Sequence, residues 1–192
     1  RWMLDMTATL TDATPATDKS LPQRLVSALL TSMDAGTGDQ RDGHGHTASL
    51  VERPNAAGDC FDLLIRWRSR QQAQSRLITV AKNLRAGAYG SPGLGLGPDG
   101  HLVVVWEDSV QINVMARCFD PQGQATGPAF VLNTSRDATC RLNPRVKVNA
   151  SGAFVAVWEH GWTQTRARIF ASAGQSAGDE LPLGAAALRR GA

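Results

Sequence analysis

Asp99-Gly100-His101-Leu102-Val103-Val104-Val105-Trp106-Glu107 returns fifty-two residues later as Ser151-Gly152-Ala153-Phe154-Val155-Ala156-Val157-Trp158-Glu159. In both copies a glycine turn runs into an apolar stretch that ends on tryptophan and is followed by glutamate. Upstream, Pro92 falls on Pro144 and Leu96 on Val148 at the same offset. Downstream the match resumes one residue shorter. Ala116-Arg117-Cys118-Phe119 meets Ala167-Arg168-Ile169-Phe170, Gly123-Gln124 meets Gly174-Gln175, and Gly127 meets Gly178. Similarity at a fixed period marks a repeat architecture in which each unit buries its apolar face against its neighbour.

Each copy divides into four short strands. Leu94 to Gly97, or Val146 to Asn149, leads into a turn at Pro98-Asp99-Gly100 or Ala150-Ser151-Gly152, where glycine tolerates positive φ. Leu102 to Trp106 is an unbroken apolar run rich in valine and bounded by turn residues. It therefore reads as a strand buried on both faces rather than as a helix. A third strand covers about 112–119 and ends at Asp120-Pro121-Gln122-Gly123, where proline presets φ and glycine closes the turn. The fourth spans 129–133. A degenerate copy precedes these two. Ile65-Arg66-Trp67 aligns with Arg117-Cys118-Phe119 at offset 52, Ile78-Thr79-Val80-Ala81 aligns with Phe130 to Asn133, and an inner strand is expected at Thr47 to Glu52 after Asp42-Gly43.

Residues 1–40 do not follow the repeat. Ser20-Leu21-Pro22-Gln23 is a capping box with proline early in a helix, and Leu21, Leu25, Leu29 and Met33 then recur every four residues. The spacing predicts an amphipathic helix over 21–34. The chain is thus read as an N-terminal segment (1–40), a degenerate β repeat (41–90) and two β repeats (91–192).

The motif residues resemble the tandem Val-Val-Val-Trp repeats of large secreted bacterial proteins. The matching pieces here are the Asp99-Gly100 turn, Leu102 to Trp106, Ala116 to Asp120, Gly123 to Gly127, and Phe130 to Thr134. The second copy departs from that pattern at Ala171-Ser172. The resemblance implies a propeller-like array of four-stranded antiparallel units, an extracellular or cell-surface location, and no catalytic residue. Two or three blades cannot close a propeller, which needs about four, so the chain is expected to be a section of a longer array or to associate. A second resemblance covers 18–67. Leu21 to Leu25, Gly38 to Arg41, Ala48 to Val51 and Asp62 to Ile65 look like the C-terminal part of an uncharacterised bacterial domain with an Ntn-hydrolase-like fold. That chemistry needs a nucleophile at the mature N-terminus, and residues 1–10 supply none.

Composition narrows the field further. A hydrophobic fraction of 42% with 19% charged residues indicates a folded chain. The net charge of +3 is spread over scattered arginines without a basic stripe, which argues against nucleic acid. No apolar run approaches the roughly 20 residues of a membrane-spanning helix. The opening at Arg1 reads as a fragment or processed piece.

Cys60, Cys118 and Cys140 lack metal-ligand spacing, and a Cys118–Cys140 bridge stands beside three separate thiols as an alternative. Asp42-Gly43-His44-Gly45-His46-Thr47 inverts the order of the histidine motif of subtilisin-like proteases, and no matching serine motif accompanies it. His44 and His46 could offer two nitrogens to zinc, with no third ligand at matching spacing. Asp34, Asp39 and Asp42 lie in a glycine-rich loop suited to oxygen ligation but without EF-hand spacing. Ser32 to Thr37 approaches the Asp-box of sialidase-type propellers without its closing tryptophan. Trp106 and Trp158 read as packing residues. Glu107 and Glu159, in equivalent units, read as too far apart for an acid–base pair. His160 and Trp162 read as an exposed aromatic pair for glycan or partner contact.

The sequence therefore predicts a mainly β, non-catalytic repeat module of a larger exported bacterial protein. It is structural or binds carbohydrate or protein through its blade loops, with no cofactor, metal, nucleic acid or membrane span expected. The runner-up is an Ntn-hydrolase-like remnant fused to repeats.

Overall fold

The computed structural model describes residues 38–85 and 90–183. They form twelve strands in three four-stranded antiparallel sheets, each a simple meander. The first sheet holds β1 (Gln40–Arg41), β2 (Thr47–Pro54), β3 (Cys60–Arg68) and β4 (Arg76–Arg85). The second holds β5 (Gly93–Leu96), β6 (Leu102–Asp108), β7 (Asn113–Phe119) and β8 (Phe130–Val131). The third holds β9 (Arg141–Val148), β10 (Phe154–His160), β11 (Gln164–Phe170) and β12 (Leu181–Pro182). No α-helix occurs among the described residues, and the helix expected over 21–34 lies outside them.

The sheets stack in chain order, and the valine run of β6 explains why. Alternate side chains of a strand point to opposite faces. Val103 and Val105 pack against Val146, Phe154 and Trp158 of the third sheet, while Leu102, Val104 and Trp106 pack against Ile65, Trp67 and Val80 of the first. All five residues are at most 4% exposed, so the strand is buried on both faces as the sequence predicts. Trp158 repeats the position of Trp106 and is fully buried against the second sheet. Each such indole contributes on the order of 3 kcal/mol of burial, which fixes the stacking order.

The same turn opens all three sheets. Gly45, Gly100 and Gly152 donate their amides to the carbonyls of Asp42, Gly97 and Asn149, and those residues donate in turn to the carbonyls of His46, His101 and Ala153. The three glycines have φ of 91°, 87° and 81°, where a β-carbon would be strained. In the degenerate unit the left-handed glycine is therefore Gly45 rather than the expected Gly43. Its strand β2 begins at Thr47 as anticipated and continues to Pro54.

That turn also corrects the register of the third strands. Thr47 occupies the place of Leu102. Thr47 pairs with Arg68 and Leu102 pairs with Phe119, so Arg66 matches Arg117 at offset 51. The 52-residue alignment that set Ile65 on Arg117 is one residue out, a slip that would exchange every inward and outward side chain. The fourth strands do align as read, with Ile78, Phe130 and Leu181 equivalent.

Contacts between sheets recur as the strands do. Arg117 Nη1 donates to the Val80 carbonyl at 2.8 Å, and Arg168 Nη1 donates to the Leu132 carbonyl at 2.8 Å. Each guanidinium also lies over a phenylalanine of its own strand, Phe119 or Phe170. Gly123 nests against Ile78 and Trp67, and Gly174 against Phe130. The departure at Ala171-Ser172 is absorbed locally. Ser172–Gly174 forms a 3-10 turn whose closing bond, Ala171 N–H to the Gln175 carbonyl, reproduces that from Asp120 to Gln124. The first strands approach closely as well. A β-carbon on Gly93, Gly95 or Gly97 would lie within 2.8 Å of β9 or the residue that follows it.

Candidate functional site

A groove of about 470 Å³ opens between the first and second sheets, at the end where β3 turns into β4 and β7 turns toward β8. One wall is the segment Ser69-Arg70-Gln71-Gln72, and the other is Pro121-Gln122 with Gln124. Arg76 crosses between them and donates to the carbonyl of Gln122. His46 stands at the base. Its ring stacks on Trp67 with centroids 5.3 Å apart and planes 9° from parallel, and its Nδ1 lies 2.5 Å from Asp42 Oδ2.

The Asp42 carboxylate organises this corner. Its side chain is 1% exposed, and Oδ1 accepts the backbone N–H groups of His44 at 3.0 Å and His46 at 2.8 Å. With both oxygens engaged, Asp42 fixes the imidazole against Trp67. The lining is rich in amides, with two guanidiniums and one imidazole, and no carboxylate faces it. Such a surface can hydrogen-bond hydroxyls, carbonyls and anionic oxygens.

The structure distributes the sequence candidates widely. Asp34 and the Ser32 to Thr37 stretch lie outside the described residues. Asp39 lines a groove on the first sheet, whereas both carboxylate oxygens of Asp42 are taken up by His44 and His46. His44 reaches Asp99 at 3.4 Å on the exposed side of the turns, while His46 is held by Asp42. Among the described residues no group of three or more His, Cys, Asp or Glu side chains could hold a metal ion. All three cysteines are thiols, which corrects the Cys118–Cys140 alternative. Cys118 lies opposite Val103 near the start of β6, whereas Cys140 precedes β9 beside Gly161, at the other end of the sheets.

Glu107 faces the third sheet and accepts the Asn143 N–H at 2.9 Å. A β-carbon on Gly90 would lie 2.1 Å from its Oε1, so glycine there makes room for the carboxyl. Burial pushes its pKa up to about 7, against the Asn143 bond and with a further push from Glu159. Glu159 lies on the opposite face of the third sheet from Trp158, so the two glutamates do not converge on one cleft.

His160 is the clearest correction among the candidates. It is 7% exposed in β10, with Nε2 3.3 Å from Asp137, whereas Trp162 beyond the strand end is 70% exposed. The pair therefore does not present a common surface. Desolvation lowers the His160 pKa, and Arg166 and Arg141 add to the effect against the pull of Asp137. Arg141, 3% exposed, gathers the segment that joins the second and third sheets. It donates to the carbonyls of Ile112, Thr139 and Ser135 and pairs with Asp137 at 3.1 Å. The Ser135 hydroxyl above all, with the Thr139 N–H, His160 and Arg141, holds Asp137 down to about 2. This cluster is a structural linker.

Sequence reasoning missed Arg70, Gln72, Arg76, Gln122 and Gln124 as groove residues. The available signal was the polar Ser69-Arg70-Gln71-Gln72 run, which reads only as a solvated loop until the neighbouring sheet is placed against it.

No family model and no curated protein matches the chain. Among solved structures it is similar to a DUF4623 family protein from Bacteroides eggerthii, at 12% identity and a TM-score of 0.38 over 69% of this chain and 30% of that one. A fucose lectin from Kordia zhangzhouensis, solved with methyl-fucoside, matches at 10% identity and a TM-score of 0.41 over 75% of this chain and 94% of the lectin. A GH43 β-1,3-galactosidase matches at 9% identity and a TM-score of 0.43, over 80% of this chain and 39% of the enzyme. The chain thus spans less than half the length of the first and third. Likenesses this distant carry no weight for ligand or activity.

Proposed function

We propose that this chain is a non-catalytic section of a propeller-like repeat array in a larger exported bacterial protein, and that it binds carbohydrate through the groove between its first two sheets. The groove itself carries the reading. It is lined by Gln72, Gln122 and Gln124 amides beside Arg70 and Arg76, with His46 fixed at its base by Asp42. Amide and guanidinium donors on a rigid sheet scaffold suit the vicinal hydroxyls of a sugar. The repeated latch from Arg117 and Arg168 to the sheet before supports the array, because every described sheet boundary uses the same contacts.

A glycan array followed by calorimetry tests the binding. The folded protein is expected to retain a defined set of glycans, with at least tenfold weaker binding after Arg70→Ala or Gln124→Ala. A blank array, or affinities that both variants leave unchanged, overturns it. Imaging of the full-length protein tests the array, which predicts further four-stranded units stacked on this section.

A further inference from the structure

The outer face of the first sheet departs from the repeat in one respect that matters chemically. In the second sheet the cross-strand row Leu96–Leu102–Phe119 faces the preceding sheet, and in the third sheet Val148–Phe154–Phe170 does the same. These residues are packed in the two cores. The corresponding row of the first sheet is Arg41–Thr47–Arg68. In the next row, Ser49 stands where the other sheets have Val104 and Ala156, and it pairs with Arg66, the equivalent of the latching Arg117 and Arg168. An apolar stacking surface has been rewritten as a cationic, hydroxyl-bearing one.

These residues line a groove of about 540 Å³, whose far wall is Ala73 and Ser75 of the β3–β4 connection. Arg53, on the same face, is neutralised by Asp62 at 3.3 Å. Arg41, Arg66 and Arg68 have no ion pair among the described residues, and Asp39 is the one carboxylate in the lining. Arg68 Nε is directed to the Thr47 hydroxyl at 3.4 Å, which braces the row. Adjacent strands lie about 4.8 Å apart, so Arg41 and Arg68, two strands apart, flank Thr47 at about 10 Å. Three guanidiniums at such spacing, with Asp39 as the single carboxylate beside them, repel one another unless a further anion lies between them.

We infer that this groove binds an acidic glycan, whose carboxylate or sulfate groups are held by Arg41, Arg66 and Arg68 and whose hydroxyls meet Thr47, Ser49 and Ser75. Leu77, 54% exposed and paired with Arg66, adds apolar ground for a sugar ring. No aromatic side chain lines the groove, so it lacks the stacking platform that single-stranded nucleic acid uses. The site lies across the β3–β4 connection from the inter-sheet groove and does not depend on it.

The test titrates the protein with three tetrasaccharides: an oligogalacturonate, a heparin fragment and neutral maltotetraose. The carboxylated or the sulfated probe is expected to bind, the difference between them identifying the anion, while maltotetraose stays at least tenfold weaker. Binding is expected to weaken as salt rises from 50 to 200 mM. Arg41→Ala with Arg66→Ala is expected to cut it at least tenfold, while Arg136→Ala, which removes an exposed charge from the linker between the second and third sheets, leaves it unchanged and circular dichroism stays that of the parent. Equal binding of maltotetraose that the Arg41/Arg66 pair abolishes, indifference of the acidic probes to that pair, or tighter binding of a single-stranded RNA overturns the inference. So does a dimer that Arg66→Ala dissolves, because this face would then be a stacking surface. Loss of neutral-glycan binding with Arg70→Ala alone concerns the inter-sheet groove and separates the two sites.

Discussion

Arg117 Nη1 lies 2.8 Å from the carbonyl oxygen of Val80, thirty-seven residues earlier and one sheet away, and Arg168 stands in the same relation to Leu132. The two bonds join the third strand of one sheet to the fourth of the sheet before it, at Val80 within β4 and at Leu132 just beyond β8. Charge-assisted bonds of this kind contribute roughly 1.5–3 kcal/mol when their carbonyl is otherwise unpaired, and less where water can replace them. Arg117→Ala and Arg168→Ala are each expected to lower unfolding free energy by about 1–2 kcal/mol. Arg66→Ala, at the equivalent exposed position, is expected to change it by less than about 0.5 kcal/mol. Urea denaturation of the three variants makes the comparison, and equal effects at all three positions would refute the latch.

Gly174 combines a φ of 82° with a contact that leaves no room for a side chain, since an added β-carbon would sit 2.4 Å from Phe130 Cζ. Strain and overlap together predict a loss of about 2–4 kcal/mol for Gly174→Ala. Gly43 has open space around the same position. Gly43→Ala should leave the thermal midpoint within about a degree of the parent. A Gly174→Ala protein as stable as the parent would contradict the stacked arrangement.

Half-buried Glu107 and buried His160 give stability opposite dependences on pH. Glu107, raised to about 7 from 4.5, favours the protonated form in the fold. Its contribution is complete below pH 4.5 and is lost as pH rises through 7. Glu107→Gln keeps an acceptor for the Asn143 N–H and should gain about 1–2 kcal/mol over the parent at pH 8, after allowing for solvent screening. His160 is lowered below 6.5 by burial, so its contribution is present above pH 6.5 and is lost as pH falls through the depressed value. His160→Gln should flatten that acid limb. Denaturant midpoints measured from pH 4 to 9 separate the two effects, and unchanged pH profiles in both variants would refute the assignments.

The thiols should divide by burial. Cys118 is 6% exposed, and desolvation pushes its pKa up to about 12, so almost no thiolate forms at neutral pH. Cys60 and Cys140 are half-buried. An aromatic disulfide reagent at pH 8 is expected to titrate two thiols in the native protein and a third only in denaturant. Three fast equivalents would mean that the interface between the second and third sheets opens readily.

Sequence alone settled the strand content and the repeating unit. Leu102 to Trp106 could only be a strand, because valines alternate onto two buried faces between glycine turns. Pairing the Asp99 and Ser151 stretches fixed the equivalence of Trp106 with Trp158. Those are local signals, carried by periodicity and turn chemistry.

What the tertiary structure decided is how the units meet. Whether Arg66 or Ile65 matched Arg117 depended on a one-residue register that degenerate sequence could not hold, and the shared Asp42, Gly97 and Asn149 turns resolved it. His160 looked exposed because a histidine after a strand usually is, and the Arg141 linker buried it. The inter-sheet groove has no sequence signature, since its walls lie some fifty residues apart and each alone is an ordinary polar turn. The cationic row of the first sheet became legible only beside its apolar equivalents. Local pattern records which way a side chain points; only packing shows what it meets there.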